Sequence, residues 1–379
     1  MAKSKGTIGI LTAGGDCPGL NAVIRGVSKA AFHYGWKVMG IQDGFRGLVE
    51  NRMTPIRSID VSGILTHGGT FLGSGRDKPH KMLMGDKIMD MTDVAVVNYR
   101  RQNLDCLICL GGNGTQKNAY RLQQAGMNII TLPKTIDNDV AGTDITFGFD
   151  SAMSIATGAI DRLHTTATSH HRVIVCEIMG HDAGWLCLGA GIAGGADVIL
   201  IPEIPYNLDV IAESLLNRRR TGKRFSIIAV AEGIRPHDPS KPKEQIERPG
   251  KKKSSPKELE VMEHAKSNGI HLVQEAVASR IAREVQGLTG VEARVTSLGH
   301  VQRGGSPTPF DRLLCTRLGT KVGELLANEH FNVMVAYKGD RCVPVPLEDV
   351  AGKKRVVPLD HPWLHTARLV ETCLGDEVV

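Results

Sequence analysis

The sequence has few aromatic residues and no long apolar runs, and these absences exclude several classes of protein. Only 4% of its 379 residues are Phe, Trp or Tyr, which disfavours a surface that binds nucleic acid by base stacking. No segment reaches the ~20 consecutive apolar residues that span a bilayer, and no apolar run of signal length follows the first lysines. We therefore predict no nucleic-acid partner, no membrane partner and a cytoplasmic location.

The eight cysteines are scattered and do not form the regular pairs of a disulfide framework. Cys109 and Cys176 lie inside apolar runs, and Cys106 stands at C-x-x-C spacing from Cys109 within the same run. This pattern is typical of reduced thiols in the core of a cytoplasmic protein. The sequence also lacks H-E-x-x-H and paired Cys/His spacings, so it carries no zinc signature.

Length and composition favour a large α/β protein with two domains. A chain of 379 residues exceeds one typical domain. Its 41% hydrophobic residues and 43 glycines suit a globular protein with many turns. The net charge of +6 is a mild excess that favours anionic small molecules. No repeat with a period of about 20–50 residues is evident, which excludes a solenoid.

Apolar strand patterns alternate with amphipathic helix patterns along most of the chain. The first unit is a strand at Thr7–Thr12, a glycine turn at 13–19 and a helix at Asn21–Tyr34. Further strands at Leu104–Leu110 and Ile129–Leu132 also run into polar loops. This alternation predicts parallel sheets, which bind ligands at the carboxyl ends of their strands.

Residues 235–266 interrupt this alternation. The segment is rich in proline and contains three consecutive lysines at 251–253. We predict a surface insertion that is partly helical near 258–266.

Two polar loops follow neighbouring apolar strands and carry the clearest chemical signal. Asp137 and Asp139 stand two positions apart, a spacing that in an extended segment puts both carboxylates on one side of the backbone. Gly111–Thr115 precedes a helix, and glycine loops beside helix N-termini attract phosphate. The turn at 13–19 is neither a Walker A loop nor the dinucleotide G-x-G-x-x-G. We expect phosphate groups to bind between these loops.

Together, five loops resemble those of the 6-phosphofructokinase family in composition, order and spacing. They are GGDCPGLN at 14–21, GGNGT at 111–115, PKTIDND at 133–139, MG at 179–180 and LGHVQRGGSP at 298–307. The resemblance covers roughly residues 7–340. It implies transfer of a phosphoryl group to the 1-hydroxyl of fructose 6-phosphate, a kinase step of glycolysis. It also implies two doubly wound, Rossmann-like three-layer α/β domains with the active site in the cleft between them.

The resemblance further implies how the domains and subunits are organised. Residues 1–147 plus about 301–350 would bind the phosphoryl donor. Residues 148–300 plus the C-terminal tail would bind the sugar phosphate, with the insertion on their surface. In the family, arginines from a neighbouring subunit complete the site, and Arg172 and Arg294 match them. A homotetramer or homodimer is therefore implied.

Each matching residue takes a role from the resemblance. Asp137 would be the general base, since a carboxylate that is ionised at neutral pH can take the proton of the sugar hydroxyl. Arg76 would stabilise charge on the transferred group, while Thr135 and Asp139 would orient the reacting groups. The donor would bind Gly15, Arg76, Asp77, Gly112, Asn113, Gly114, Thr115 and Lys134. The sugar phosphate would bind Thr135, Ile136, Asp137, Arg172, Met179, Gly180, His181, Glu232, Arg294, His300, Val301, Gln302 and Arg303.

Three positions depart from the usual family pattern. Asn113 replaces an acid that serves magnesium, so Mg²⁺ would depend on Asn113, Asp137 and Asp139 together with the substrate phosphates. Lys134 is typical of pyrophosphate-dependent members and of some ATP-dependent relatives. Gly114 replaces the aspartate of pyrophosphate enzymes, which would crowd the nucleotide α-phosphate.

The two donor markers disagree, and we give Gly114 more weight because a steric and like-charge block is harder to evade than an extra lysine. ATP is therefore the expected donor and pyrophosphate the alternative. A hypothesis of another class is a sugar-phosphate-binding regulatory subunit, which Asn113 motivates. Retention of Asp137 with the whole basic set speaks against that hypothesis.

Overall fold

The computed structural model describes residues 5–237 and 275–378, and most of their strands belong to two sheets. The strands are β1 Gly6–Thr12, β2 Trp36–Ile41, β3 Met53–Ile56, β4 Met82–Met84, β5 Lys87–Met89, β6 Cys106–Gly111, β7 Ile129–Pro133, β8 Val173–Ile178, β9 Val198–Leu200, β10 Ser226–Ala231, β11 Ala293–Ser297, β12 Val333–Lys338 and β13 Arg341–Pro346. The α-helices are α1 Leu20–His33, α2 Phe45–Val49, α3 Thr92–Arg101, α4 Asn113–Gln124, α5 Phe149–His170, α6 Trp185–Ala193, α7 Leu208–Arg220, α8 Val277–Thr289, α9 Pro309–Ala327, α10 Leu347–Val350 and α11 Pro362–Leu369. Short 3₁₀ helices span Ile64–Thr66, Pro79–Lys81 and Gly299–Arg303.

The first sheet has seven strands in the order β13-β12-β7-β6-β1-β2-β3. Strands β12, β7, β6, β1 and β2 run parallel, while β3 and β13 pair antiparallel at the two edges. The carboxyl ends of β1, β6 and β7 therefore lie side by side at one end of the sheet. This topology confirms the predicted parallel sheet and brings the loops that follow these strands together.

Helices cover both faces of the first sheet, and strand β6 shows why. Its residues Cys106, Ile108 and Leu110 pack into one apolar cluster with side chains of α1 and α9. Its alternate residues Leu107 and Cys109 pack into a second cluster with side chains of α3 and α4. A strand whose side chains are buried on both faces is typical of a three-layer α/β arrangement, so the predicted fold class is confirmed.

The second sheet has four strands in the order β11-β8-β10-β9, all parallel. Its strands come from residues 173–297, whereas those of the first sheet come from residues 6–133 and 333–346. Near the end of the chain, α11 packs on α6, and Cys373 pairs with Val198 of β9. The bounds given above for the two domains stay a prediction.

The cysteines behave as core residues. All eight fall within the described part of the chain, none of them forms a disulfide there, and only Cys342 is not fully buried. Burial raises the pKa of the Cys106 thiol well above its ordinary value, and it also raises the pKa of Cys109. A buried thiol that stays protonated is a poor nucleophile and metal ligand, which agrees with the prediction of inert core cysteines.

The predicted insertion at 235–266 begins with paired residues. Pro236 forms a bridge with Tyr206, and the His237 N–H donates to the carbonyl oxygen of Tyr206 at 2.7 Å. Residues 238–274, with the predicted helical part at 258–266, lie outside the described residues. Among the helices that are described, none is both long and apolar enough to cross a membrane.

The N-terminus of α5 is capped by a carboxylate from another helix. Asp311, near the start of α9, is fully buried. It accepts hydrogen bonds from the backbone N–H groups of Gly148 and Ser151, both at 2.9 Å, and from the Ser151 hydroxyl at 2.6 Å. These bonds satisfy first-turn donors that have no partner within the helix. Asp311 thereby fixes α5, which leads into the second sheet, to α9.

We expect the stability that Asp311 provides to depend on pH. Burial raises its pKa to about 6, although the bonds to Ser151 and Gly148 act in the opposite direction. Because the folded-state pKa lies above the ordinary value, the contribution of this carboxyl group is full below about pH 4 and is lost as pH rises through 6. The stability of the wild type relative to Asp311→Asn should therefore fall by about 2 kcal/mol between pH 4.5 and 6, at about 1.4 kcal/mol per pKa unit.

Thermal unfolding of the wild type and Asp311→Asn between pH 4.5 and 8 measures this difference. The exposed Asp209 of α7 provides a matched control, and its Asn variant should follow the wild type across the range. A wild-type advantage that is constant with pH would contradict the raised pKa.

Candidate active site

The loop between β6 and α4 exposes backbone donors at a helix N-terminus. Among the described residues no side chain caps this helix, whose residue before the first turn is Gly112. The first helical bond is the Gln116 N–H to the Gly112 carbonyl oxygen, so the N–H groups before it are available to a ligand. Such donors, with the helix dipole, favour a phosphate group.

Side chains have different amounts of space in this loop. A Cβ added to Gly111 would lie 2.0 Å from Thr115 Oγ1, so only glycine fits there. At Gly114, by contrast, none of the described atoms lies within 4 Å of the Cβ position. The side chain of Thr115 is buried and donates to the Ala13 carbonyl oxygen at 3.4 Å. Thr115 therefore ties the loop to β1, and only its backbone remains for the donor.

Two positive side chains converge on the loop that follows β1. Lys134 is buried, and its Nζ donates to the Gly15 carbonyl oxygen. Arg303 donates through Nη1 to the Asp16 carbonyl oxygen at 3.1 Å, and its Nε is buried with no partner among the described residues. A Cβ on Gly15 would lie 2.8 Å from Arg303 Nη1, so the guanidinium lies directly against the Gly15 backbone.

The environment of Lys134 favours an anion. Burial lowers the pKa of Lys134, and the charge of Arg303 lowers it further, although Cys17, Asp137 and Asp16 oppose this. A buried cation beside a second, partly buried one is destabilised unless a negative group lies between them. The structure thus brings Gly15, Lys134 and Arg303 into one basic pocket.

The segment that carries Asp137 and Asp139 is a turn, so the prediction of an extended segment was wrong. Asn138 adopts a left-handed conformation with φ of 52°, which asparagine tolerates better than most residues. Its side-chain oxygen accepts the Thr146 N–H at 3.0 Å, and the Asp137 N–H donates to Thr135 Oγ1 at 3.0 Å. These bonds fix the turn without using the Asp137 carboxylate.

The carboxylate of Asp137 is left for a ligand. Its Oδ1 atom is buried and has no hydrogen-bond partner among the described residues. A buried acceptor without a partner costs free energy, and such atoms are expected where a substrate binds. The neighbouring Ile136 side chain is fully buried in the core, so only its backbone is available to a substrate.

Asn113 and Asp139 form a pair beside Asp137. The Asn113 amide nitrogen donates to Asp139 Oδ2 at 2.7 Å and to the Asp139 carbonyl oxygen at 3.1 Å. Burial, followed by the negative charge of Asp137, raises the pKa of Asp139 to about 6, although Lys354 and Asn113 act against this. Because the Asn113 amide nitrogen bonds Asp139, the Asn113 side-chain oxygen points away from Asp139. That oxygen is buried without a partner in the described part of the chain.

Arg76 and Asp77 lie beside the same strand ends. Gly75 pairs with Ala13 at the end of β1 and accepts the Gly14 N–H at 2.8 Å, so Arg76 starts next to the glycine loop. The Arg76 side chain is exposed. Asp77 accepts a hydrogen bond from Arg46 at 2.7 Å, and this ion pair holds its carboxylate beside α2.

The second sheet contributes a polar group at the carboxyl end of β8. The N–H of Met179 donates to the Gln302 side-chain oxygen at 3.4 Å, and the N–H of His181 donates to Glu232 Oε1 at 2.7 Å. Gln302 is fully buried, so its side chain joins the 299–303 turn to Met179 and does not reach into a pocket. Along the same turn and loop, the residues with exposed or partly exposed surface are Met179, His181, Glu232, His300, Val301 and Arg303, while Gly180 is buried.

Arg172 and Arg294 do not join this group within one chain. Arg172 precedes β8, and Arg294 pairs with Ile174 near the amino end of that strand. Both arginines pair with Glu292. Since β8 has six residues, and a strand rises about 3.3 Å per residue, these arginines lie roughly 20 Å from Met179.

Sequence reasoning missed two residues, Lys354 and Arg355, that lie at the loop of Asp137 and Asp139. The Arg355 N–H donates to the Asp139 carbonyl oxygen at 2.8 Å, and its guanidinium donates to the Asn138 carbonyl oxygen at 3.2 Å. Lys354 pairs with Asp182, whose carboxylate lies 2.7 Å from its Nζ. The strand patterns near 340–360 contain no phosphate-binding motif, so nothing in the sequence singled these residues out.

The fold and the site define an α/β protein with a candidate phosphate-binding site at the carboxyl ends of parallel strands, beside an Asp137 oxygen that has no partner among the described residues. The family model described as Phosphofructokinase matches residues 7–326. The chain therefore belongs to the phosphofructokinase family.

Curated relatives and solved structures resemble the chain over nearly its full length. It is 54% identical to the "ATP-dependent 6-phosphofructokinase" of Propionibacterium freudenreichii subsp. shermanii, covering 97% of this chain and 99% of the relative. The Spirochaeta thermophila protein of the same name is 52% identical, covering 98% of each. A Pichia pastoris phosphofructokinase structure has a TM-score of 0.75 at 28% identity and covers 92% of this chain, which spans 36% of that one. A pyrophosphate-dependent phosphofructokinase from Marinobacter aquaeolei, at 21% identity and a TM-score of 0.74, shares the fold and covers 93% of this chain and 86% of its own.

Proposed function

We propose that the protein is an ATP-dependent 6-phosphofructokinase, which transfers the γ-phosphoryl group of ATP to the 1-hydroxyl of fructose 6-phosphate. The observation that carries the proposal is the Asp137 Oδ1 atom, buried without a partner among the described residues, with the helix α4 N-terminus and the Lys134–Arg303 pocket beside it. The bacterial relatives named ATP-dependent 6-phosphofructokinase support the same conclusion.

Each part of the site has a task in this reaction. Asp137 takes the proton of the sugar hydroxyl as that oxygen attacks the phosphorus atom. The backbone donors of Gly114 and Thr115 hold donor phosphates, while Lys134, Arg76 and Arg303 offset the charge on the transferred group. Met179, Gly180, His181 and Glu232 line the sugar side, with His300, Val301 and Arg303 on the neighbouring turn.

We propose that Mg²⁺ is held by Asp137, Asp139 and Asn113 together with phosphate oxygens. The described residues contain no group of three or more His, Cys, Asp and Glu side chains suited to a metal. The unpartnered buried oxygens of Asn113 and Asp137 nevertheless fit this ion, which uses few protein carboxylates and keeps water and phosphate ligands. Bound there, the ion would neutralise phosphate charge.

The donor is tested by initial rates with fructose 6-phosphate and Mg²⁺, using ATP in one reaction and pyrophosphate in the other. Turnover with ATP alone is expected, because the space around Gly114 is open. Pyrophosphate is the second candidate because buried Lys134 already lies in the donor pocket. Turnover with pyrophosphate alone would mean that Lys134 determines the donor. Binding of fructose 6-phosphate without turnover from either donor would favour a regulatory subunit.

We also propose that two copies of the chain complete each sugar-phosphate site, in a homodimer or homotetramer. The position of Arg172 and Arg294, at the opposite end of the second sheet from Met179, motivates this proposal. A reducing cytoplasm is the proposed location, since eight cysteines without disulfides suit such a compartment.

Mixing two inactive variants tests the shared site. Asp137→Asn and Arg172→Ala should each be nearly inactive alone. In mixed oligomers some sites would combine an intact Asp137 from one chain with an intact Arg172 from the other, so activity should return to a substantial fraction of wild type. A mixture that stays inactive, while both variants assemble like the wild type, would contradict the shared site.

A further inference from the structure

Residues 353–357, which we call the strap, connect a loop of the first sheet to loops of the second. The strap follows α10 and precedes α11, which packs on α6. On the first side, the backbone of Lys354 pairs with Val140 in an antiparallel bridge, and the Arg355 N–H donates to the Asp139 carbonyl oxygen at 2.8 Å. The strap therefore extends the backbone hydrogen bonding of the Asp137–Asp139 turn.

On the second side, three side-chain contacts join the strap to the loops after β8 and β9 and to the first residue of α6. Lys354 Nζ lies 2.7 Å from Asp182 Oδ2, and the Arg355 guanidinium lies 4.0 Å from the ring centre of Trp185. The Val357 N–H donates to Glu203 Oε1 at 2.9 Å. Asp182 directly follows His181, a residue of the proposed sugar site.

The backbone of Lys354 thus contacts the loop of the proposed base Asp137, and its side chain contacts Asp182, beside the proposed sugar site. Its ion pair with Asp182 is partly exposed, at 40% and 35% of the two side chains. Ion pairs of this exposure contribute little to stability. The backbone of Lys354 is fixed on the Asp137–Asp139 turn, and Asp182 belongs to the loop after β8. The effect of the ion pair is therefore to set the distance between these two loops.

We propose that Lys354 is a positioning residue for phosphoryl transfer, which through Asp182 holds the His181 loop at a set distance from the Asp137 turn. The inference rests on the proposed function, because it gives Lys354 a part in the same reaction. Phosphoryl transfer depends on alignment of the attacking oxygen with the phosphorus atom. Loss of the pair lets the base and the bound sugar drift apart without removing a group that touches either.

The test compares four variants by steady-state kinetics and thermal unfolding: Lys354→Met, Lys354→Arg, Asp182→Asn and the Lys354→Met/Asp182→Asn double variant. We expect Lys354→Met to lower kcat about tenfold, since a misplacement of ~1 Å costs up to ~10²-fold, while the KM for ATP stays unchanged. Lys354→Arg should recover most of the activity. The double variant should be no worse than either single variant, because both remove the same contact.

Lys353→Met is the matched control. Lys353 adjoins Lys354, but its ion pair is with Asp349 of α10, at 3.7 Å, so this variant should keep wild-type kinetics. The unfolding temperatures of all variants should stay within a few degrees of the wild type.

Three results would overturn the inference. One is a Lys354→Met enzyme with wild-type kcat. Another is a Lys354→Met enzyme that is impaired while Asp182→Asn is not, because Lys354 would then act on the substrate directly. The third is a loss of activity that tracks a lowered unfolding temperature, which marks a purely structural role. Failure of the proposed function is separate, since it appears as a wild type that does not phosphorylate fructose 6-phosphate at all.

Discussion

Asp137→Asn should lower turnover by about 10²–10⁴-fold, the usual cost of losing a general base. The amide has the same shape but cannot take the proton of the sugar hydroxyl. The turn should remain intact, because Thr135 and Asn138 hold it through the Asp137 backbone and Thr146. Steady-state kinetics with fructose 6-phosphate and ATP measures the loss.

Binding separates this chemical effect from a structural one. The dissociation constant of fructose 6-phosphate, measured by calorimetry, should change little in Asp137→Asn, because the lost interaction belongs to the transition state. The exposed Asp209→Asn variant should have wild-type kinetics. Near-normal turnover of Asp137→Asn would show that another group, with Asp139 the nearest candidate, accepts the proton.

Gly114→Asp should weaken the use of ATP strongly without harming the fold. The position is in the first turn of α4, and no described atom lies within 4 Å of the added Cβ. An acid there interacts favourably with the helix dipole, by about 0.3–1 kcal/mol. Toward a nucleotide phosphate the same charge is repulsive, by about 4 kcal/mol at 4 Å in a partly screened site. We expect kcat/KM for ATP to fall by about 10²–10³-fold, at 1.4 kcal/mol per factor of ten.

Two further substitutions divide this effect into its causes. Gly114→Ala adds only a Cβ in open space and should keep most of the activity. Gly114→Asn adds the bulk of aspartate without its charge, so its residual activity measures the steric part. If Gly114→Asp uses ATP as well as the wild type does, the donor does not approach this turn, and the weight given to Gly114 would be misplaced.

The sequence predicted the strands that are buried on both faces. The predicted strand Leu104–Leu110 starts two residues before β6, which begins at Cys106. Its run of apolar residues nevertheless indicated a central parallel strand. The apolar periodicity predicts helices from Gln116, Ser151 and Arg312, two to three residues after the observed starts at Asn113, Phe149 and Pro309. In α4 the first turn contains only Asn113, Gly114, Thr115 and Gln116, so the hydrophobic period is not yet visible there.

The two edge strands of the first sheet were not predicted, and proline explains most of this failure. β3 contains Pro55, and β13 contains Pro344 and Pro346. Proline cannot donate to a ladder of hydrogen bonds, so it disfavours a strand in a sequence pattern. At the edge of a sheet one side of the strand has no neighbour, and the missing donor costs little.

Some features of the site depend on contacts that no local pattern records. The turn at Asn138 requires the Thr146 N–H from eight residues further on. Lys354 comes near Asp139 only because the chain, after β13 of the first sheet, passes this loop on its way to α11, which packs on the second domain. The remote position of Arg172, however, follows from the sequence itself, because a whole strand separates it from Met179.

The first sheet contains strands from both ends of the chain. This limits the order in which the two sheets can form while the chain is being synthesised. All four strands of the second sheet have been translated by residue 297, when the first sheet still lacks β12 beside β7 and α9 beside α1. Nascent chains usually fold from the N-terminal domain onward, but here all strands of the second sheet are available before the first sheet can be completed. If translation ends between residues 300 and 330, the released chain lacks β12, so one side of β7 has no neighbouring strand. Such an exposed strand edge is prone to pair with other chains.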